Sequence, residues 1–406
     1  MYQRTLKRII EMVNQSFPIL LLTGARQVGK TTLLEACAEE GRNYVSLDDL
    51  DIRQMAQNDP GLFIQTYRAP LIIDEIQYAP ELLSYIKIVV DREKKKGLFW
   101  LTGSQKFHLM QGITESLAGR VAVLDLLGLS QAELNERSSL VQPFIPTNKW
   151  LEQARTTDSI SPETVYKRIW LGAFPHIHTT DIDDRDIFYR SYVQTYIQRD
   201  VKDLLQISNE STFYNFLVAI AARTGQLLKY SEIAKDIGID NKTVKAWISV
   251  LEASGIIYLL RPYYKNVTKR LITKTPKLYF LDTGLCTYLT KWLDPNSLQA
   301  GAASGHILET YVFSEILKSY WHNGKEAHLY YYRDTNQKEI DLVIETAETL
   351  HPIEIKKTAT PSLTASKSFH LLNALDKKVG HGAVICLISK DIPLSADVTA
   401  IPVAYL

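Results

Sequence analysis

Residues 24–31 read Gly24-Ala25-Arg26-Gln27-Val28-Gly29-Lys30-Thr31, preceded by the apolar run Ile19-Leu20-Leu21-Leu22 and followed by Thr32, Leu33 and Leu34. The string G-x-x-x-x-G-K-T between a buried strand and a helix is the P-loop pattern. Its glycines let the backbone curl so that N–H groups face phosphate oxygens, and the helix N-terminus adds a favourable dipole and unpaired donors. Gly24 to Thr32 are therefore the expected cradle for ATP, with Lys30 reaching the β- and γ-phosphates and Thr31 holding Mg2+.

Downstream chemistry fits hydrolysis. Leu71-Ile72-Ile73-Asp74-Glu75 is an apolar strand ending in two carboxylates, which places both at the carboxyl edge of a sheet, where such folds hold ligands. Asp74 is expected to bind magnesium through its water shell, and Glu75 to orient and deprotonate the attacking water. A further strand, Leu98–Thr102, runs into Gly103-Ser104-Gln105. If the two strands are neighbours, Ser104 or Gln105 senses the γ-phosphate or positions water; otherwise they form a turn before a helix. Ser116-Leu117-Ala118-Gly119-Arg120 offers Arg120 for stabilising charge on the transferred phosphoryl group, across a subunit boundary if the chain forms a homo-oligomeric ring. A surface or structural arginine is the alternative.

At 406 residues the chain exceeds one ordinary core. The first 145 residues alternate strand and helix (strands at Leu20–Leu22, Tyr44–Leu47, Leu71–Asp74 and Phe99–Thr102; helices at Thr31–Glu39 and Leu82–Lys94), predicting an α/β fold with a parallel sheet covered on both faces. Residues 146–225 read as a helical connector, 226–290 as a small basic unit, and 291–406 as a return to α/β. Lys and Arg total 46 against 45 Asp and Glu, so affinity for a polyanion must come from a local patch. The absence of an 18-residue apolar run or a signal-peptide core predicts a cytoplasmic protein with no membrane partner. Cys37, Cys286 and Cys386 are too scattered for a disulfide frame or a CxxC metal site.

The 226–290 unit resembles a winged helix-turn-helix. A short helix starts at Ser231, Gly238 supplies the turn, and Asn241–Ser254 forms a second helix with Val244, Trp247, Ile248 and Leu251 on one face. Such a helix can enter a major groove, presenting Asn241, Lys242, Thr243, Lys245 and Ala246. From Arg261 to Lys277 the chain holds Arg261, Lys265, Lys269, Arg270, Lys274 and Lys277 with no acid, and Tyr263 and Tyr264 are interleaved. That density favours contact with DNA or RNA phosphates; a solvated hairpin used for protein contacts is the competing reading.

Glu309, Asp341 and the pair Glu354/Lys356 follow in an order similar to the PD-(D/E)xK nucleases, a nuclease-like α/β arrangement. There the acids, here Asp341 and Glu354, bind a divalent metal, which would be this chain's second, and the lysine, here Lys356, helps activate water or steadies the pentavalent phosphate. Residues 354 and 356 share one side of a strand. An ordinary sheet face, or a nuclease-like fold that cuts nothing, stands as the alternative.

The runs GARQVGKTTLL, LIIDEIQYAPELL, LTGSQ and SLAGR, with LGAFP at 171–175, YVQTYIQRDV at 192–201 and YFLDTGL at 279–285, resemble the prokaryotic AAA-type ATPases that carry a C-terminal domain of unknown function. The resemblance implies an ATP-binding AAA-type P-loop NTPase and supplies no substrate. Two functions compete: an ATPase controlling nucleic-acid binding or processing, and an ATP-dependent switch whose rear domains bind a protein partner without cutting.

Overall fold

The structure is a computed structural model describing residues 2–103, 116–179, 185–197, 209–264, 275–375 and 377–406. Strand β1 (Ile19–Thr23) is buried along its length and pairs in parallel on both sides. With β2 (Asn43–Ser46), β3 (Leu71–Asp74), β4 (Phe99–Gly103) and β5 (Val121–Asp125) it forms a five-stranded parallel sheet in the order β2-β3-β4-β1-β5. Alternate side chains of a strand point to opposite faces, and the two faces feed different cores. Leu20, Leu22 and Trp100 join Ile10, Leu33 and Leu34 on one side; Ile19, Leu21 and Leu101 join Ile86 and Val90 on the other. The continuous apolar strands expected of a doubly covered sheet are thus explained. β5 was not foreseen: it is a half-buried edge strand, so its apolar signal is diluted.

The connector holds the helices Asn148–Ala154, Pro162–Leu171, Arg185–Ser191 and Glu210–Ala221. Then β6 (Gln226–Leu227), the helices Tyr230–Ile237 and Asn241–Ala253, β7 (Ile257–Leu260) and β8 (Lys277–Phe280) follow, the strands forming an antiparallel sheet in the order β6-β8-β7. Gly238 ends the first helix in the left-handed region, φ +76°, where a residue without Cβ costs least.

Helix Ser304–Trp321 is buried almost throughout and packs on β8 and on the terminal sheet. That sheet comprises β9 (Leu329–Arg333), β10 (Glu339–Glu345), β11 (Thr349–Lys356), β12 (Lys378–Val379), β13 (Gly382–Cys386), β14 (Ile392–Ser395) and β15 (Val398–Pro402). The order is β14-β15-β13-β11-β10-β9, with β12 beside β11. β9, β10 and β11 run antiparallel, and β11, β13 and β15 run parallel. Beyond β7 the chain joins this sheet directly, Tyr263 N donating to Tyr331 O at 2.7 Å. The largest apolar core is continuous from Leu6 to Tyr405.

Candidate functional site

The loop after β1 is built for close backbone approach. Gly24 has φ +150°, and a Cβ there would meet Leu126 O at 2.2 Å; Gly29 has φ +91° and opens the Lys30–Cys37 helix. Gln27 also lies in the left-handed region, φ +62°, a strained conformation for a residue with a side chain. Lys30 is buried, and its ammonium donates to Gly24 O and Ala25 O, both at 3.0 Å. Burial pulls its pKa down, against the pull of Glu75 and Asp74. Arg26 donates to Tyr78 Oη at 3.1 Å. Val28 is buried and Thr32 is exposed.

Asp74, at the carboxyl end of β3, accepts from Thr31 Oγ1 at 2.9 Å, from Tyr44 Oη at 3.1 Å and from the Thr102 hydroxyl. Burial and Asp74 together push the Tyr44 phenol up to about 12. The Glu75 amide donates to Thr102 Oγ1 at 3.0 Å, Glu75 takes φ +57°, and its carboxylate accepts from Gln77. Thr102 therefore fixes both acids, a role the sequence reading missed although it lies at the end of β4. β4 does lie beside β3, Leu71 facing Phe99. Ser104 and Gln105 fall outside the described residues.

The set suits ATP and Mg2+. A buried cation donates to two backbone carbonyls that it can release. A hydroxyl faces a carboxylate, both hard oxygen ligands of the sort magnesium shares with water and phosphate.

Arg120 is not brought to this site. It precedes β5, at the amino edge of the sheet, and pairs with Asp91 at 2.6 and 3.0 Å at the end of the Leu82–Glu93 helix. Parallel strands put their amino ends on one side and the loop after β1 on the other, which rules out contact with the P-loop of the same chain.

Rear segments reach the cradle. A methyl group built on Gly255, just past the Asn241–Ala253 helix, would lie 3.4 Å from Ala25 N, and one on Gly29 would lie 3.8 Å from Pro175. Arg4 donates to Val28 O at 3.0 Å and to Leu127 O at 2.6 Å, with its Nε 3.2 Å from Glu133. Burial would push Glu133 up, but Arg4 and His322 overcome it and hold the carboxyl far below its ordinary range.

In the Asn241–Ala253 helix, Val244, Trp247, Ile248 and Leu251 are buried while Asn241, Lys242, Lys245 and Ala246 are exposed. Thr243 is spent on the cap, its hydroxyl on Asp240 at 2.5 Å. Of the basic run, Arg261 is exposed, and Lys265, Lys269, Arg270 and Lys274 fall outside the described residues. Tyr263 is buried against the terminal sheet, so it offers no face to a base.

Lys277 requires a correction. Instead of facing phosphate, it is buried, with its ammonium 2.9 Å from Glu309 Oε1, 2.6 Å from Glu339 Oε1 and 3.8 Å from Asp341 Oδ1. Tyr279 Oη donates to Glu309 at 2.6 Å, and Asp341 accepts from Ile355 N at 2.9 Å. Lys356 bonds Glu354 at 2.5 Å and lies 3.7 Å from Asp341. Glu309, Asp341, Glu354 and Lys356 do converge, but with a lysine between the carboxylates. Among the described residues no group of three or more His, Cys, Asp or Glu is placed to hold a metal ion, so the expected second metal on Asp341 and Glu354 finds no support. Burial pushes both Glu309 and Glu354 up to about 7, and Glu354 Oε2 is buried without a hydrogen-bond partner.

Three family models match the chain: an AAA domain over residues 16–135, a domain of unknown function (DUF8612) over 162–296, and another (DUF4143) over 304–406. The chain is 27% identical over 389 residues to the uncharacterized protein Rv2008c of Mycobacterium tuberculosis, covering 95% of this chain and 80% of that protein. It is 23% identical over 307 residues to the uncharacterized protein MJ1637 of Methanocaldococcus jannaschii, covering 68% and 63%. A Walker-type ATPase of Pyrococcus abyssi matches with a TM-score of 0.45 and 15% identity, over 71% of this chain and 96% of that one. The AAA domain match covers the segment that holds the P-loop, Asp74 and Glu75. No helix among the described residues is long and apolar enough to cross a membrane.

Proposed function

We propose that the chain is a magnesium-dependent ATPase that uses nucleotide turnover to control how its rear segments engage a macromolecule. The convergence of Lys30, Thr31, Asp74 and Glu75 at the carboxyl edge of one sheet supports this reading most directly. Bound ATP supplies the phosphoryl group, and Mg2+ neutralises its charge. Lys30 exchanges the carbonyls of Gly24 and Ala25 for phosphate oxygens, a contact worth more to a charged acceptor. Thr31 and Asp74 hold the ion, and Glu75, fixed through its amide by Thr102, takes the proton of the attacking water. In this reading residues 1–145 are the motor, 146–225 the connector, 226–290 a winged-helix-like unit and 291–406 a nuclease-like domain, in a cytoplasmic protein. Arg120 acts on nucleotide only as a neighbour's residue in a homo-oligomer.

The exposed Asn241, Lys242 and Lys245 support DNA or RNA as the macromolecule. Lys277 favours a second reading for the terminal domain alone: a nuclease-like shell that cuts nothing and serves as a switch surface for nucleic acid or a protein partner. Both are tested by one experiment on the full chain with magnesium or manganese. ATP turnover should slow roughly a hundredfold or more in Glu75→Gln while ATP stays bound, and neither wild type nor mutant should nick DNA or RNA. Equal turnover moves the base elsewhere; metal-dependent nicking abolished by Asp341→Ala restores the nuclease.

A further inference from the structure

Between the first helix, residues 132–157, the end of the Ser304–Trp321 helix and residues 404–406 lies a cavity of about 910 Å³, lined by no residue of the P-loop or of the acid cluster. That volume falls in the range of pockets that enclose small organic ligands. Its charge is one-sided. Arg8, Arg137 and Lys325 line it, against one acidic side chain, Glu315, and the main-chain carboxylate of Leu406, and Glu315 is already neutralised by Lys318 at 2.7 Å and bonded by Gln131 N at 2.7 Å.

The cations are held by neutral acceptors. Arg8 donates to Asn323 Oδ1 at 3.3 Å; Arg137 donates to Thr156 Oγ1 at 2.7 Å and to the Thr157 hydroxyl. Such contacts orient a guanidinium without cancelling its charge. Lys325 is exposed, and its ammonium has no hydrogen-bond or ion-pair partner among the described residues. The rest of the wall is apolar and partly aromatic: Phe144 and Trp150 meet edge to face at 4.7 Å, and Met12 and Leu140 stand at the rim 56% and 61% exposed.

We propose that this cavity binds a small amphipathic anion, an apolar or planar body carrying one acidic group. The aromatic wall takes the body, and the cationic side takes the acid. Its occupant is also coupled to the nucleotide cradle, a second claim that rests on the P-loop reading. Glu133 lies beside the wall residue Ala132. It accepts from Thr5 N at 2.8 Å, its Oε1 is 3.3 Å from His322, and it faces Arg4, which in turn holds the Val28 carbonyl. Those contacts pin together three of the four segments that line the cavity. A ligand that shifts them changes the P-loop, and ATP must change the ligand's affinity by the same factor.

The test titrates the full chain with two fluorescent probes of like shape, anionic 1-anilinonaphthalene-8-sulfonate and neutral N-phenyl-1-naphthylamine. Saturable binding of the anion at one site per chain is expected. Lys325→Glu, on an exposed side chain, should weaken the anion by about tenfold or more and leave the neutral probe nearly unchanged. Gln153→Trp, which adds bulk at an exposed lining position, should weaken both with the circular dichroism unchanged. Affinities untouched by both variants, or binding without saturation, overturn the site. If the site holds, the anion should alter ATP affinity and ATP the anion's equally; ATP binding without that reciprocity overturns the coupling alone. Failure to bind ATP at all overturns the P-loop reading and leaves the probe result standing.

Discussion

Lys277 Nζ stands 2.9 Å from Glu309 Oε1, so a cation belonging to the chain fills space that a divalent ion would otherwise share with the carboxylates. Burial alone would lower the lysine's pKa. Tyr279 and the surrounding carboxylates reverse that and hold it well above its ordinary value.

Lys277→Met should destabilise the fold at neutral pH by about 3–5 kcal/mol, the usual cost of stranding one side of a buried ion pair. Urea denaturation measures it. A midpoint equal to wild type would mean the carboxylates are neutral without the lysine.

Lys30→Ala should weaken ATP by roughly ten- to a hundredfold, the worth of charge-assisted bonds to phosphate that backbone donors cannot replace. Isothermal titration with ATP and magnesium reads it directly, and wild-type affinity would contradict the P-loop assignment.

Stability should fall as pH rises through the neutral range. Glu309 and Glu354 are both raised from 4.5 to about 7 by burial. A carboxyl with a raised native pKa stabilises fully below its unfolded pKa, and that contribution is lost as pH rises through the native one. Glu354→Gln mimics the neutral acid and should flatten the profile between about pH 5 and about pH 8, as denaturant midpoints across that range would report.

Arg4→Met should cost about 3–5 kcal/mol, because it leaves Glu133 buried and without its nearest cation. The carboxyl's native pKa is depressed, so its contribution is present above its unfolded value near 4.5 and disappears on acidification. In the mutant, the acid limb of the stability curve should lose steepness, and ATP should bind more weakly because the Val28 carbonyl is released.

The geometry of the candidate site was largely legible, because a P-loop encodes backbone geometry in glycines and because Asp74 ends an apolar strand. The partners Thr102 and Tyr44 come from β4 and β2, and which strands lie beside β3 is a matter of topology that local pattern does not carry. That Arg120 lies away from the P-loop of its own chain was not legible for a related reason: its nearness to β4 in sequence says nothing of which end of the sheet it occupies. Lys277 looked like one more cation in a basic run. Its burial follows from pairing with Glu309 and Glu339, thirty and more residues away, and sequence spacing cannot distinguish a solvated lysine from one enclosed by acids. The two helices around Gly238 were read nearly to the residue, since caps and apolar spacing are local signals.

The apolar core that runs unbroken from Leu6 to Tyr405 bears on how the chain can be dissected. Residues 16–135, cut out on their own, would lose Arg4 from the Val28 carbonyl and the packing of Gly255 and Pro175 against the cradle. They would also lose Ile10 and the rear segments from the core that Leu20, Leu22 and Trp100 share. The excised segment should therefore aggregate, and in the intact chain limited proteolysis should cut surface loops without releasing a fragment that stays folded. Exchanging the rear half between relatives would require co-transplanting the first helix, since that helix and the Ser304–Trp321 helix are parts of the same interior.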